Sequence, residues 1–158
     1  MLLIELLITI EVNGYDDKWI KQRLTGVVDR RKLTDVWKEN GITESKEFAI
    51  LTNEIYKTWS GMTAKEYKEY KGLRKESLRD NMDNIEVSLT DISEEVTKRL
   101  AKKTKPKGLK ENLKVAHAGG QVAKNTRDEI EDLLGESIVT NKNKLNYEYM
   151  DEKLIDTK

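Results

Sequence analysis

The stretch Leu51–Met82, LTNEIYKTWSGMTAKEYKEYKGLRKESLRDNM, decides the fold class. Its apolar positions Ile55, Trp59 and Met62, then Tyr67, Tyr70, Leu73, Leu78 and Met82, recur every three to five residues, a helical rather than an extended period. Ser60-Gly61 interrupts the pattern. Thr63-Ala64-Lys65-Glu66 restarts it as a capping box, in which hydroxyl and carboxylate each satisfy a free backbone N–H. Asp83-Asn84-Ile85-Glu86 repeats that start signal with aspartate. Lys65, Lys68, Lys71, Arg74, Lys75 and Arg79 lie between the apolar positions, so one stretch holds both core and cationic residues.

Towards the N-terminus, Phe48, Leu51 and Ile55 predict a helix from about Glu44 to Trp59. Before it, Trp19, Ile20, Leu24, Val27 and Val28 form an amphipathic stripe that Leu33, Val36 and Trp37 continue. Gly26 marks a bend, and Asn40-Gly41 stops the run. The three tryptophans, Trp19, Trp37 and Trp59, read as core. The start, MLLIELLITIEV, ends at Asn13-Gly14 and reads as an extended apolar arm that packs on the helices or pairs with a second copy. It is too short for a span of about 20 residues and lacks the basic region of a signal peptide.

Towards the C-terminus, Val87, Leu89, Ile92, Val96 and Leu100 predict a long helix. Lys102–Gly108, KKTKPKG, holds the single proline, Pro106, and reads as a linker. Leu109, Leu113, Ala116, Val122, Ala123, Ile130 and Leu133 form another helical stripe, which Gly135 stops. The tail after Glu136 is compatible with strand or helix. The expectation is therefore an all-α fold, a compact domain of about five to seven helices with a short N-terminal extended arm. Its parts are the arm at 1–14, a helical domain at 15–103, a Lys/Pro/Gly linker at 104–108, and a helical segment with an acidic tail at 109–158.

With 158 residues, 37% of them charged and 37% hydrophobic, the chain can bury only a modest core; average domains hold about 25% charged and about 45–50% apolar residues. The zero formal net charge hides a segregation. Lys98–Lys114 holds eight basic residues against one acid, Glu111, whereas Asp128–Lys158 holds nine acids against four lysines. Such a distribution suits a charge-steered partner. There is no cysteine, which excludes disulfides, thiolate metal sites and a cysteine nucleophile, and makes the reducing cytoplasm the expected compartment. His117 is the only histidine and reads as structural. No nucleophile–base pair, metal cage or cofactor loop is recognisable, so no enzyme, cofactor, metal, membrane or small-molecule substrate is expected.

Two cationic groups are candidate nucleic-acid contacts. If the helix starting at Thr63 ran on, Lys68, Lys71, Lys75 and Arg79 would share one face, with Arg74 beside them, as a stripe along a phosphate backbone. The bland reading is an exposed face balanced by Glu66, Glu69 and Glu76. The second group is Lys102, Lys103, Lys105 and Lys107, beside a Pro-Gly hinge. It would neutralise phosphates without reading bases, and its alternative is a solvated loop. A third feature, Gly119-Gly120 with Ala123, places small residues at helical spacing. Close helix–helix packing is the favoured account; a phosphate-cradling turn and a simple bend are the alternatives.

Lys71–Met82 has the pattern K-G-L-R-K-x-S-L-R-D-x-M, and Gly119, Gly120, Ala123, Thr126 and Arg127 match G-G-x-x-A-x-x-[AT]-R. On these residues the chain resembles, from about Trp19 to Tyr149, the C-terminal half of phage antirepressor-type proteins and of the DNA-damage-inducible protein D family. In those families the region follows a BRO-N domain, the part assigned DNA binding. This sequence lacks that domain and reads as a natural short form or a gene remnant. The resemblance implies interference with a repressor or a DNA-repair response rather than catalysis. It makes DNA, a repressor or a repair protein the expected partner. The alternative is an interaction or oligomerisation module that self-associates through its N-terminal arm.

Overall fold

The computed structural model describes Lys21 and residues 30–143. The N-terminal arm, Trp19 and the chain from 144 onwards lie outside the described residues. Among the described residues there are five α-helices and no strand. We label them α1 (described over 30–39), α2 (Ser45–Ser60), α3 (Ala64–Tyr70), α4 (Asn84–Thr104) and α5 (Gly108–Leu134), with a 3-10 turn at Arg79–Asn81 before α4.

Each helix start has a local cause. Thr63 and Glu66 form the expected capping box on α3, and Asp83 and Glu86 form the one on α4. A third opens α2, where Glu47 reaches back to the Glu44 N–H at 3.1 Å. The helices then bury a main core, with Leu33, Trp37, Leu51, Ile55, Trp59, Tyr67, Met82 and Val87 among its residues, and a smaller cluster of Val36, Ala101 and Val115. A large apolar side chain fully removed from water contributes about 1.5–3 kcal/mol, so this core is the main source of stability.

Helix α5 packs along both α2 and α4, and the glycine pair stands where it meets them. A Cβ on Gly119 would lie 2.0 Å from Thr97 Oγ1 and 2.7 Å from the Ser93 carbonyl, both on α4. A Cβ on Gly120 would lie 2.8 Å from Thr58 Cβ and 3.1 Å from the Ile55 carbonyl, both on α2. One glycine therefore serves each neighbour. Ala123, one turn on, is fully buried in the same core. Arg127 completes the motif: its Nη1 donates to the carbonyls of Trp59 and Ser60 at 3.2 and 2.9 Å, satisfying acceptors left open where α2 ends. The double glycine weakens α5 locally by about 1 kcal/mol per residue, and the close contacts it permits offset that cost.

The Lys/Pro/Gly stretch is a tight turn joining two helices that pack on each other. Lys105 adopts the left-handed conformation (φ 51°) at the end of α4, Pro106 is buried, and α5 begins at Gly108. The turn is pinned beneath the end of α1: Gly108 N–H donates to the Asn40 carbonyl at 3.0 Å. The buried Asn112 amide donates to the carbonyls of Gly108 (2.8 Å), Pro106 (3.3 Å) and Asn40 (3.4 Å). From 135 to 143 the chain carries no regular structure, yet Ile138, Val139 and Asn143 are buried as it returns across the molecule.

Candidate nucleic-acid interface

The first cationic group does not form a stripe. Helix α3 stops at Tyr70, and Gly72 (φ 72°) turns the chain away, so Lys68, Lys71, Lys75 and Arg79 do not share a helical face. Lys71 is completely buried. Its Nζ donates to Glu86 Oε1 at 2.9 Å and to the carbonyls of Thr140 and Lys142 at 2.9 and 2.8 Å. Glu86 also accepts the Tyr67 hydroxyl and, at 3.1 Å, the Asp83 N–H, so one carboxylate serves both the cap of α4 and the core ion pair. Burial holds the Glu86 carboxyl above its usual range despite Lys71 beside it. Burial, with the Glu86 charge next, pushes the Tyr67 phenol up.

Arg79 is turned inward as well. Its guanidinium meets Glu94 through Nη1 at 2.9 and 3.0 Å and Asp91 through Nη2. Arg30 of α1 joins Glu94 from the other side at 3.1 Å. Burial alone would raise the Glu94 carboxyl, but two guanidiniums overcome it and hold the group below its usual range. The same carboxylates keep Arg79 firmly protonated against the cost of its own burial. Leu73, Leu78 and Met82 of the same motif are core residues. Arg74 and Lys75 are exposed and Lys68 is half-buried, so these three are the members of the group that reach the surface.

The second group is presented outward. Of the eight basic residues in Lys98–Lys114, Lys98 and Arg99 pair with Glu95 at 2.7 and 2.8 Å; their hydrogen bonds draw that carboxyl below its usual range. The other six are exposed: Lys102 and Lys103 on the last turn of α4, Lys105 and Lys107 on the α4–α5 turn, and Lys110 and Lys114 on the first turns of α5. Lys102 and Lys105 line a shallow depression of 240 Å³ with Val36 and Ala101 on its floor. Lys105 and Lys107 line a neighbouring one of 440 Å³ with Asn40, Gly41 and Gly108. Glu39 borders both. The arrangement can take up an anion or an extended polyanion, and it contains no aromatic platform on which a base would stack.

From sequence, Glu86 read only as part of the capping box and Glu94 only as a neighbour of Glu95; the ion pairing of Glu86, Asp91 and Glu94, and the place of Arg30 among them, was not read. The signal present was the eight-residue spacing of Glu86 and Glu94, which puts both on nearly one face of α4. His117 bridges two helices: its Nδ1 meets Glu54 at 3.0 Å and Thr58 at 3.2 Å. Both contacts fall on one ring nitrogen, so no Glu–His–Thr relay is formed. Among the described residues no group of three or more His, Cys, Asp or Glu is arranged to hold a metal ion. No described helix is long and apolar enough to cross a membrane.

Comparison with known proteins adds one finding. Residues 16–147 match the family model of the DinD C-terminal domain, which covers most of the chain. The chain therefore belongs to the family of DNA-damage-inducible protein D C-terminal domains. No curated protein and no solved structure matches it.

Proposed function

We propose that this member of the DinD C-terminal domain family is a regulatory protein of the DNA-damage response that works by binding and not by catalysis. Its phosphate-contact surface is the α4–α5 turn, with Lys102, Lys103, Lys105 and Lys107 as the contacting residues. The single observation that carries this reading is the exposure of these lysines at a turn whose backbone is pinned by Asn112 and Asn40. Fixed, exposed cations neutralise phosphates with little ordering cost, whereas Lys71 and Arg79 are already engaged internally. The contact is sequence-independent, because lysine offers a point charge and no bidentate fork. The cytoplasm suits a cysteine-free protein with such a partner.

A gel-shift titration on duplex and single-stranded DNA tests the reading. Four phosphate contacts on duplex predict log K falling against log salt with a slope of about −3.6. Lys102→Glu/Lys103→Glu/Lys105→Glu/Lys107→Glu should abolish the shift and leave the fold intact. No binding by the wild-type chain at low salt would sink the proposal. An antirepressor-like contact with a repressor or repair protein is the second reading. Its support is the pair of exposed leucines, Leu133 and Leu134, at the far end of α5.

A further inference from the structure

Helix α5 carries its charges in reverse. The positive end of a helix dipole favours acids and the negative end favours bases. Helices α2, α3 and α4 obey this, with Glu47, Glu66 and Glu86 in their first turns and Lys57, Lys68 and Lys102 with Lys103 in their last. On α5, Lys107 occupies the N-cap and Lys110 and Lys114 follow, with Glu111 the one acid of the first turn, and the last turn holds no base. Asp128, Glu129 and Asp132 crowd its C-terminal end instead, with Glu136 just beyond. Asp128 is balanced by Lys124 and Glu131 by Arg127. Glu129, Asp132 and Glu136 have no ion-pair partner among the described residues. The preference is outnumbered at the start of α5 and unmet at its end, the kind of local conflict that marks a functional surface.

The two ends also match in shape. At the acidic end Leu133 is 83% exposed, with Leu134 beside it, which is costly for a side chain that has no partner. At the basic end the depression between Lys105, Lys107 and Gly108 adjoins the one lined by Val36 and Ala101, and the joined rim carries Lys102, Lys105 and Lys107 with one carboxylate, Glu39, and the amide of Asn40. A leucine beside three carboxylates unpaired among the described residues is the complement of a depression whose rim carries three ammonium groups against one carboxylate. Lys107 and Leu133 are separated by about 39 Å along a continuous helix, so the two surfaces of one molecule cannot meet.

We propose that the acidic end of α5 docks head to tail on a second copy of this chain, Leu133 seating in the lysine-rimmed groove at that copy's α4–α5 turn. The contact is heterologous, so each molecule keeps one acidic and one basic end open and the association extends or closes into a ring. It does not depend on the DNA reading and is measured without nucleic acid.

Sedimentation of the full chain over a range of concentrations tests it. At about 0.05 M salt the wild type should show species beyond the monomer, and these should dissociate at about 0.5 M, where screening is strong. A groove variant, Lys102→Ala/Lys105→Ala/Lys107→Ala, and an end variant, Asp132→Asn/Leu133→Ser/Glu136→Gln, should each associate about 100-fold more weakly. Mixed together they should form a one-to-one dimer and nothing larger, because the groove variant keeps its acidic end and the end variant keeps its groove. Circular dichroism checks that both variants are folded. A wild-type monomer at low salt overturns the proposal, as do variants that still assemble alone or a mixture that stays monomeric.

Discussion

The two cationic stretches of this chain, 68–79 and 102–107, are both rich in bases and differ in where those bases are placed. In the first, the two residues with the deepest roots, Lys71 and Arg79, are locked to Glu86, Asp91 and Glu94. In the second, four lysines stand in solvent at a turn that packs by its backbone and by Pro106. The difference arises from what lies opposite. The first stretch crosses the acidic face of α4, so its cations have internal partners within reach. The second joins two helix ends, where carbonyls and the amide of Asn112 hold the backbone and Glu39 and Glu111 are the neighbouring carboxylates. A run of lysines and arginines is thus evidence of charge, and its use is decided by the element it faces.

That contrast predicts effects of opposite sign on stability. The largest is Lys71→Ala, which leaves Glu86 buried without its cation and should cost about 3–5 kcal/mol in urea denaturation. Lys71→Met combined with Glu86→Leu should recover much of that loss, since a buried ion pair is often replaceable by apolar volume. Full recovery would show that the pair specifies the structure more than it stabilises it. Arg79→Ala should cost about 2–3 kcal/mol, less than Lys71→Ala, because Arg30 still faces Glu94.

Acid titration sharpens the comparison within the first group. The folded-state value of Glu94 is lowered, so its stabilisation is complete above the unfolded value of about 4.3 and is lost as the pH falls through the folded value. The folded-state value of Glu86 is raised, so its ionisation opposes folding; its contribution is greatest at low pH and is lost as the pH rises through the folded value. Glu94→Gln should therefore flatten the loss of stability below about pH 4.3, and Glu86→Gln should leave that loss in place. Equal flattening by the two variants would contradict the assignment.

The smallest effect has the opposite sign. Lys105 sits in the left-handed region at the end of α4, where glycine carries no Cβ penalty. Lys105→Gly should raise stability by about 0.5–1 kcal/mol while removing a cation from the exposed turn. Loss of stability in this variant would mean that the Lys105 side chain takes part in the fold, which would erase the distinction between the two groups.

Much of the fold was legible because its signals are local. The boxes at Thr63–Glu66 and Asp83–Glu86 start helices where their residues imply. Gly119 and Gly120 stand at close helix contacts, and Trp37 and Trp59 are core. The cationic stripe failed for a reason equally specific. Its spacing assumed that the helix starting at Thr63 continued past Gly72, and the glycine at φ 72° ends it after seven residues. The internal partners of Lys71 and Arg79 were not legible, because they come from another helix and, for Lys71, from carbonyls in an irregular segment. Most of the two family motifs serves packing and ion pairing, so the motifs identify the fold more directly than any contact with a partner.

The grip of Lys71 on the returning chain also bears on how fast the molecule comes apart. Its bonds to Thr140 and Lys142 span 69 and 71 residues, whereas most helical bonds close over four. Closing so long a loop is entropically late, so this contact belongs after the barrier rather than within it. A late contact governs the rate of escape from the native state and leaves the rate of folding almost untouched. Lys71→Ala should then speed unfolding in stopped-flow measurements and slow folding little, the signature of a latch on the lifetime of the folded protein.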